Sequence, residues 1–251
     1  MMDLPTAIAR CDSDVIREAL DARGFWVSAS LLDETTCARI AGLYDADDVA
    51  FRSTVTMARH GFGQGEYKYF AHPLPEIVTT LREAMYQRLA PVANDWSVRW
   101  GCEADWPTHH DALVKRCAAA GQERPTPLLF RYRPGDYNCL HQDLYGEIHF
   151  PLQAIVLLDR PNVDFEGGEL LLVEQRARRQ SKATVVPLTQ GSLVVIPVKE
   201  RPIISAKGTS RSQIRHGVAE VRRGVRRTLG LIFHDASQRQ APLRGGCRQH
   251  S

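Results

Sequence analysis

The 251-residue chain is 43% hydrophobic and 24% charged with a net charge of +3, the profile of one ordinary globular domain, which excludes collagen-like, low-complexity and disordered chains. No run approaches the roughly 18 apolar residues of a bilayer span, so no membrane contact is expected, and no obligate protein partner is evident. The opening MMDLPTAIARCDSD lacks the apolar core of a secretion signal, so a cytoplasmic protein is expected.

Asp12-Ser-Asp opens a helical pattern through Ile16, Leu20 and Ala22 that Gly24 ends. Gly24 to Leu32 alternates as a strand would. Asp33-Glu-Thr-Thr, ahead of Cys37, Ile40 and Leu43, is an acidic helix start, favourable at the positive end of the helix dipole. Residues 75–92 predict the best helix, with apolar positions at Ile77, Leu81, Met85 and Leu89, and a shorter one is expected over 108–120. From Pro127 the texture changes. PLLFRYRP, IHFPLQAIVLLD, GELLLVE, ATVVPL, GSLVVIPV, RHGVAEV and RRTLGLIFHD are short apolar or β-branched runs separated by Gly, Pro and Asp. Seven or eight such strands without intervening helices predict a sandwich or barrel rather than a Rossmann sheet. The expected fold class is therefore α+β, with N-terminal helices packed on one face of a β-barrel or jelly-roll core. The expected organisation is a single domain over 1–251: mainly helical support and a possible substrate lid over 1–126, the core over 127–236, and a basic tail over 237–251. Six cysteines are scattered without a C-x-x-C pair, which favours reduced thiols over disulfides or a zinc knuckle.

Two histidines and a carboxylate carry the chemistry. His141-Gln-Asp143 places both side chains on one face of an extended segment, because strand side chains alternate. His216 follows 75 residues after His141, just before another strand-like run. Two imidazoles and one carboxylate on a rigid β scaffold form the facial triad of non-haem Fe(II) oxygenases. An isolated H-x-D is common by chance, and the other seven histidines are read as structural or solvated. What raises the triad is its company. Arg226 lies ten residues after His216, with Thr228 on the same strand face, and Tyr132 lies nine before His141. A guanidinium fork, a hydroxyl and a phenol suit the far carboxylate of a dicarboxylic cosubstrate. Arg227 is the fallback for Arg226. A non-catalytic jelly-roll module or metal store would show the triad without this anchor.

Arg131-Tyr-Arg-Pro-Gly-Asp-Tyr-Asn-Cys-Leu-His141-Gln-Asp143 resembles the iron-binding segment of AlkB-type oxidative demethylases, in which R-Y-x-P-G precedes L-H-x-D. Asp164 to Leu170 and Gln190 to Ile196 resemble strands of the wider Fe(II)/2-oxoglutarate dioxygenase superfamily, prolyl hydroxylases included. Arg215-His216-Gly-Val and Arg226-x-Thr228 match the distal histidine and the cosubstrate arginine. The resemblance, over residues 127–236, is to a bacterial oxygenase family predicted to act on damaged nucleic acid. It implies a double-stranded β-helix, with Fe(2+), 2-oxoglutarate and O2. His141, Asp143 and His216 would be the metal ligands and catalytic residues, and Tyr132, Arg226 and Thr228 the 2-oxoglutarate contacts. The implied reaction splits 2-oxoglutarate to succinate and CO2 and hydroxylates a C–H bond, releasing formaldehyde where that bond belongs to an N-methyl group. Two departures bear on the substrate. Ile232 stands where the demethylases carry a second arginine, and the ten-residue gap from His216 to Arg226 is like that of prolyl hydroxylases.

Residues 199–251 hold twelve Lys/Arg against three Asp/Glu, leaving −6 for residues 1–198. Arg176 to Lys182, with Arg178, and Lys207 to Arg215, with Arg211, are basic loops suited to phosphates or equally to solvent. Arg59 to Phe70 mixes glycines with Tyr67 and Tyr69 as a mobile lid would. Asp136, Tyr137, Asn138, Gln142 and Tyr145 are further candidate contacts, or turn residues around Pro134-Gly135. The expected substrate is alkylated single-stranded DNA or RNA, with a protein side chain or small molecule as the alternative.

Overall fold

A computed structural model describes residues 4–205 and 208–237. In chain order the elements are α1 (Leu4–Ala9), α2 (Ser13–Arg23), β1 (Trp26–Val27), α3 (Glu34–Gly42), β2 (Phe51–Thr56), β3 (Gly63–Gln64), β4 (Glu66–Phe70), α4 (Glu76–Arg99), α5 (His110–Ala119), β5 (Gln122–Arg124), β6 (Leu128–Tyr132), β7 (Tyr137–His141), β8 (Leu152–Leu157), β9 (Phe165–Gly167), β10 (Leu170–Gln175), β11 (Lys182–Val186), β12 (Leu193–Pro197), β13 (Glu200–Ser205), β14 (Gly208–Val218), β15 (Val221–Gly224), β16 (Arg226–Ile232) and β17 (Ala236–Ser237). The front helices start where the sequence signals them. Asp12 accepts hydrogen bonds from the Asp14 and Val15 amides at the head of α2, Gly24 closes it at φ +83°, and Asp33 accepts from Thr36 N at the head of α3.

Two antiparallel sheets face each other. The larger runs β1-β12-β8-β16-β6-β4-β2, and the smaller runs β11-β10-β14-β7-β3 with β13 paired to β14. The chain crosses between the sheets at successive turns (β6 to β7 to β8, then β11 to β12 to β14 to β16), which is the winding of a double-stranded β-helix. The first crossing is written in Arg133-Pro-Gly-Asp136. Proline fits the first central position of this turn and Gly135 the second at φ +89°, while the Asp136 carboxylate accepts from Arg133 N at 2.7 Å.

The period of two along the large sheet separates its faces. Leu129, Leu229, Leu231, Ala154 and Val156 turn outward and pack with Ile16, Leu20, Leu81, Met85 and Trp96 of the helices in the main core. Leu128, Tyr132 and Ile232 turn inward and join Met57, Tyr67, Tyr69, Val218 and Val221 in a second cluster between the sheets. The helices thus cover one face of the β core, as expected, and the side between the sheets mixes aliphatic, aromatic and polar residues.

Three expectations change. The strand expected over 24–32 shrinks to Trp26–Val27. The helix expected to end at 92 runs to Arg99 through Pro91, because Val92, Ala93 and Trp96 on its buried face outweigh the local cost of proline. The segment read as a lid over 59–70 is built into both sheets: after a helical turn ending at His60, β3 pairs with β7 in the small sheet and β4 lies between β2 and β6 in the large one. Residues 238–251 of the basic tail and Lys207 of the second basic loop lie outside the described residues. The five cysteines among the described residues make no disulfide, and no helix there is long and apolar enough to cross a membrane.

Candidate metal centre

The two histidines meet because the strands carrying them are paired in register. His141, the last residue of β7, lies directly opposite His216 of β14, with ring centroids 4.2 Å apart. Gly217 permits that closeness, since a Cβ there would stand 2.7 Å from the Asn138 carbonyl oxygen. Asp143 follows two residues beyond β7. Its Oδ2 lies 3.2 Å from His216 Nε2 and its Oδ1 3.6 Å from His141 Nε2, and one ligand atom from each residue falls within 4.8 Å of the others. Spacings of this size would let one metal ion be reached by all three residues from the same side.

The surroundings prepare His141 and Asp143. The His141 Nδ1–H donates to the Cys139 carbonyl at 2.8 Å, which fixes the tautomer and leaves Nε2 as the lone-pair atom facing Asp143. Burial and the neighbouring His216 hold His141 below the usual histidine range, so it is neutral when a metal needs it. Burial works against the Asp143 carboxylate, but His141, His216 and the Tyr145 hydroxyl outweigh it and keep its carboxyl below the usual range. Tyr145 OH donates to Asp143 Oδ1 at 2.8 Å, and Tyr69 OH donates to Tyr145 OH at 3.0 Å. Burial, followed by the Asp143 charge, raises the Tyr145 phenol well above its ordinary value, so it remains a donor. Two imidazoles and one carboxylate on one side, with no thiolate among them, fit Fe(II) with open positions.

A buried cation without an anion lies deeper. Arg226 is 2% exposed, directly across the sheet from Tyr132, and its Nε and Nη1 have no hydrogen-bond partner. Its guanidinium carbon stands 5.5 Å from the Tyr132 ring centre and 6.0 Å from that of Phe165. An uncompensated buried charge costs several kcal/mol, so the arrangement calls for a carboxylate that the protein does not supply. Thr228, equally buried, stands on the same strand face two residues on, and Asn138 Nδ2 donates to the Tyr132 hydroxyl at 3.4 Å. The fallback Arg227 is bonded to Asp159 at 2.6 Å.

Gly168, at φ +64°, makes room for Arg226. A Cβ there would come within 2.7 Å of Arg226 Cδ and 2.9 Å of Val221 Cγ2. Gly168→Ala is therefore expected to displace the fork and weaken 2-oxoglutarate binding about tenfold without altering charge, as read by calorimetric titration of the Fe(II) protein. Unchanged affinity would show that the fork does not touch the cosubstrate.

The other sequence candidates divide. Tyr67, Tyr69 and Tyr145 are drawn together beside the triad, with the Tyr67 and Tyr69 rings 5.4 Å apart. Arg178 sits in the exposed β10–β11 turn. Arg211 is paired with Glu200, lies over the Trp100 ring at 4.6 Å, and stands five residues before His216, about 17 Å along the strand. Neither arginine is gathered at the triad. Gln142 clamps the Lys199 and Ile214 carbonyls, and Asp136 holds the turn. Gln153, whose amide lies 3.4 Å from His216 Nε2, was not singled out in the sequence. Its signal is a lone amide inside the apolar run Ile148 to Leu158. His110 and His234, read as structural, are buried and held neutral first by desolvation, with pKa values pushed down to about 3.

A family model described as an oxygenase catalysing oxidative methylation of damaged DNA matches residues 65–236. An uncharacterized protein of Mycobacterium tuberculosis strain H37Rv is 46% identical over 168 residues, covering 67% of this chain and 72% of its own length. A 2OG-Fe(II) oxygenase family oxidoreductase from Burkholderia pseudomallei superposes with a TM-score of 0.51 at 17% identity, over 92% of this chain and 96% of that one. A prolyl-4-hydroxylase from Pseudomonas putida does so at 0.50 and 16%, over 87% and 96%. Both share the fold.

Proposed function

Because the chain belongs to the Oxygenase-NA family, whose model spans residues 65–236, we propose that its Fe(II)/2-oxoglutarate chemistry is directed at alkylated bases of nucleic acid. The general activity stands on the family, the fold and the triad: this is an Fe(II)/2-oxoglutarate-dependent oxygenase. The observation that carries the cosubstrate is the buried, half-unpartnered guanidinium of Arg226 behind the His141–Asp143–His216 face.

When bound, Fe(II) with 2-oxoglutarate and O2 supplies oxidation of a C–H bond, coupled to release of succinate and CO2. The protein's part is placement. His141, Asp143 and His216 would hold the metal. The Arg226 fork, the Tyr132 hydroxyl and Thr228 would hold the distal carboxylate and so limit how far the cosubstrate reaches. Tyr145 holds Asp143 in one rotamer, and the aromatic cluster of Tyr67, Tyr69 and Phe130 keeps bulk water from the reacting end. Oxidation of an N-methyl group gives a hemiaminal that falls apart to formaldehyde and the demethylated amine.

Hydroxylation of a protein side chain is the second reading. It is favoured by Ile232, apolar where the demethylases carry arginine, and by the ten-residue spacing of His216 and Arg226. Succinate and formaldehyde, followed together with and without N-methylated single-stranded oligonucleotides, separate the two. Matched stimulation of both products supports the nucleic-acid reading. Succinate indifferent to every oligonucleotide but stimulated by peptides supports the second. Arg226→Gln is expected to raise the KM for 2-oxoglutarate about a hundredfold while sparing iron binding, since a bidentate charged contact is lost in a buried site. Equal KM values would remove Arg226 from the cosubstrate site.

A further inference from the structure

Arg52 is aimed by a defect in its strand. The β2–β4 ladder pairs Ser53 with Tyr69 and Thr54 with Lys68, then slips before Phe51 pairs with Phe70, leaving Arg52 as the extra residue of a bulge. Bulges re-aim side chains, and this one lays the guanidinium over the Tyr69 ring, 4.0 Å from its centre. Nε donates to the Pro125 carbonyl at 2.7 Å, which orients the plane of the fork, while the terminal amino groups have no acceptor among the described residues.

Arg124, next to Pro125 at the end of β5, also has no carboxylate partner among the described residues. Burial and then the Arg124 charge push Arg52 below the usual arginine range; Tyr69, Tyr145 and Asp235 act in the opposite sense. The acidic groups in reach are committed, Asp235 to Arg82 at 2.7 Å and Asp143 to Tyr145 and the histidines. From the Tyr69 ring under Arg52, the Tyr69 and Tyr145 hydroxyls lead directly to Asp143. Two half-buried cations that repel each other at the end of a chain to the metal carboxylate are poised for an external anion. The charge of a phosphodiester sits on two non-bridging oxygens, each able to accept more than one hydrogen bond, so two forks can hold one such group from different sides.

We propose that Arg52 and Arg124 form an anion subsite beside the metal pocket, which holds a backbone phosphate of the substrate strand while the atom to be oxidised sits at the triad. The proposal rests on the nucleic-acid reading above and names the contact that would seat such a strand.

The test uses the full chain loaded with Fe(II) and a labelled single-stranded oligonucleotide bearing one N-methylated adenine. Affinity is measured across a salt series, and KM and kcat for formaldehyde release are measured separately. Arg52→Gln and Arg124→Gln are each expected to weaken binding roughly tenfold, flatten the salt slope by about one, and raise KM more than they lower kcat. Arg52→Lys should recover part of the salt slope. Replacing one phosphate by a neutral methylphosphonate should reproduce the Arg52→Gln loss at one position, with no further loss when the two are combined. Oligonucleotide affinity and KM unchanged in both variants would overturn the subsite and leave the nucleic-acid reading standing. An oligonucleotide that fails to bind even at low salt, with an acidic peptide bound through the same arginines, would overturn both and favour protein hydroxylation. Binding of neither probe would also overturn the proposal, while succinate formation would still report on the oxygenase itself.

Discussion

Asp143→Ala is expected to abolish turnover and to lower Fe(II) affinity by well over a hundredfold. The carboxylate is the only anion among the three ligands, and it is the hub of the local network. Oδ2 faces His216 Nε2 at 3.2 Å, and Oδ1 faces His141 Nε2 at 3.6 Å while accepting from Tyr145 at 2.8 Å. Removing it leaves two imidazoles 4.2 Å apart with no charge to set against a divalent ion, and leaves the Tyr145 hydroxyl without its acceptor. Loss of an outer-shell partner typically costs 10–100-fold in metal affinity or activity. Tyr145→Phe should fall in that range, and loss of the ligand itself should exceed it. Anaerobic Fe(II) titration and succinate release measure the two effects independently. An alanine variant that retains iron and turns over 2-oxoglutarate would take Asp143 out of the metal set.

The triad was legible because its logic is local. His141-Gln-Asp143 needs only strand alternation to put two ligands on one side, and His216 needed only an ordered partner 75 residues on. The inward placement of Arg226 was legible for the same reason, since alternation separates it from Arg227, and the structure buries the former while the latter pairs with Asp159. The strands before residue 127 were less legible. FRSTVT of β2 is a half-exposed edge strand with one apolar residue at each end of a polar run, so its pattern is weak. Gly61, Gly63 and Gly65, all at positive φ, made the following segment read as a loop, although Glu66-Tyr-Lys-Tyr69 alternates with both tyrosines inward. Arg52 carried no signal at all, because a bulge arises from the pairing of two strands rather than from either one. Charge runs say little about placement for a related reason. Composition marks Arg178 and Arg211 as basic but does not say which way a strand carries them, and Arg211 ends on Glu200 and Trp100.

Arg82→Met is expected to destabilise the fold by about 3–5 kcal/mol, a large share of the 5–15 kcal/mol that typically holds a domain together. Arg82 reaches from α4 into the end of β16, where Nε donates to the Ile232 carbonyl at 2.8 Å. Its Nη2 donates to the Phe233 carbonyl at 3.1 Å and to Asp235 Oδ1 at 2.7 Å. Both side chains of this ion pair are nearly sealed from solvent, at 3% and 1% exposure. Methionine fills much of the same volume, so the cost comes from stranding the Asp235 carboxylate and two carbonyls rather than from a cavity. His72, whose Nε2 stands 3.9 Å from Asp235, is more than half exposed and is a poor substitute partner. Arg82→Met with Asp235→Leu should therefore lose less than the sum of the single variants, because the stranded charge is gone. Urea unfolding of the four proteins measures the coupling. Additive losses would mean that the pair does not act as a unit. The same contact ties the helical layer to the strand that carries Arg226 and Thr228. A variant that folds with this tie loosened should accordingly show weaker 2-oxoglutarate binding before it shows any loss of iron, since the triad is built on the opposite sheet.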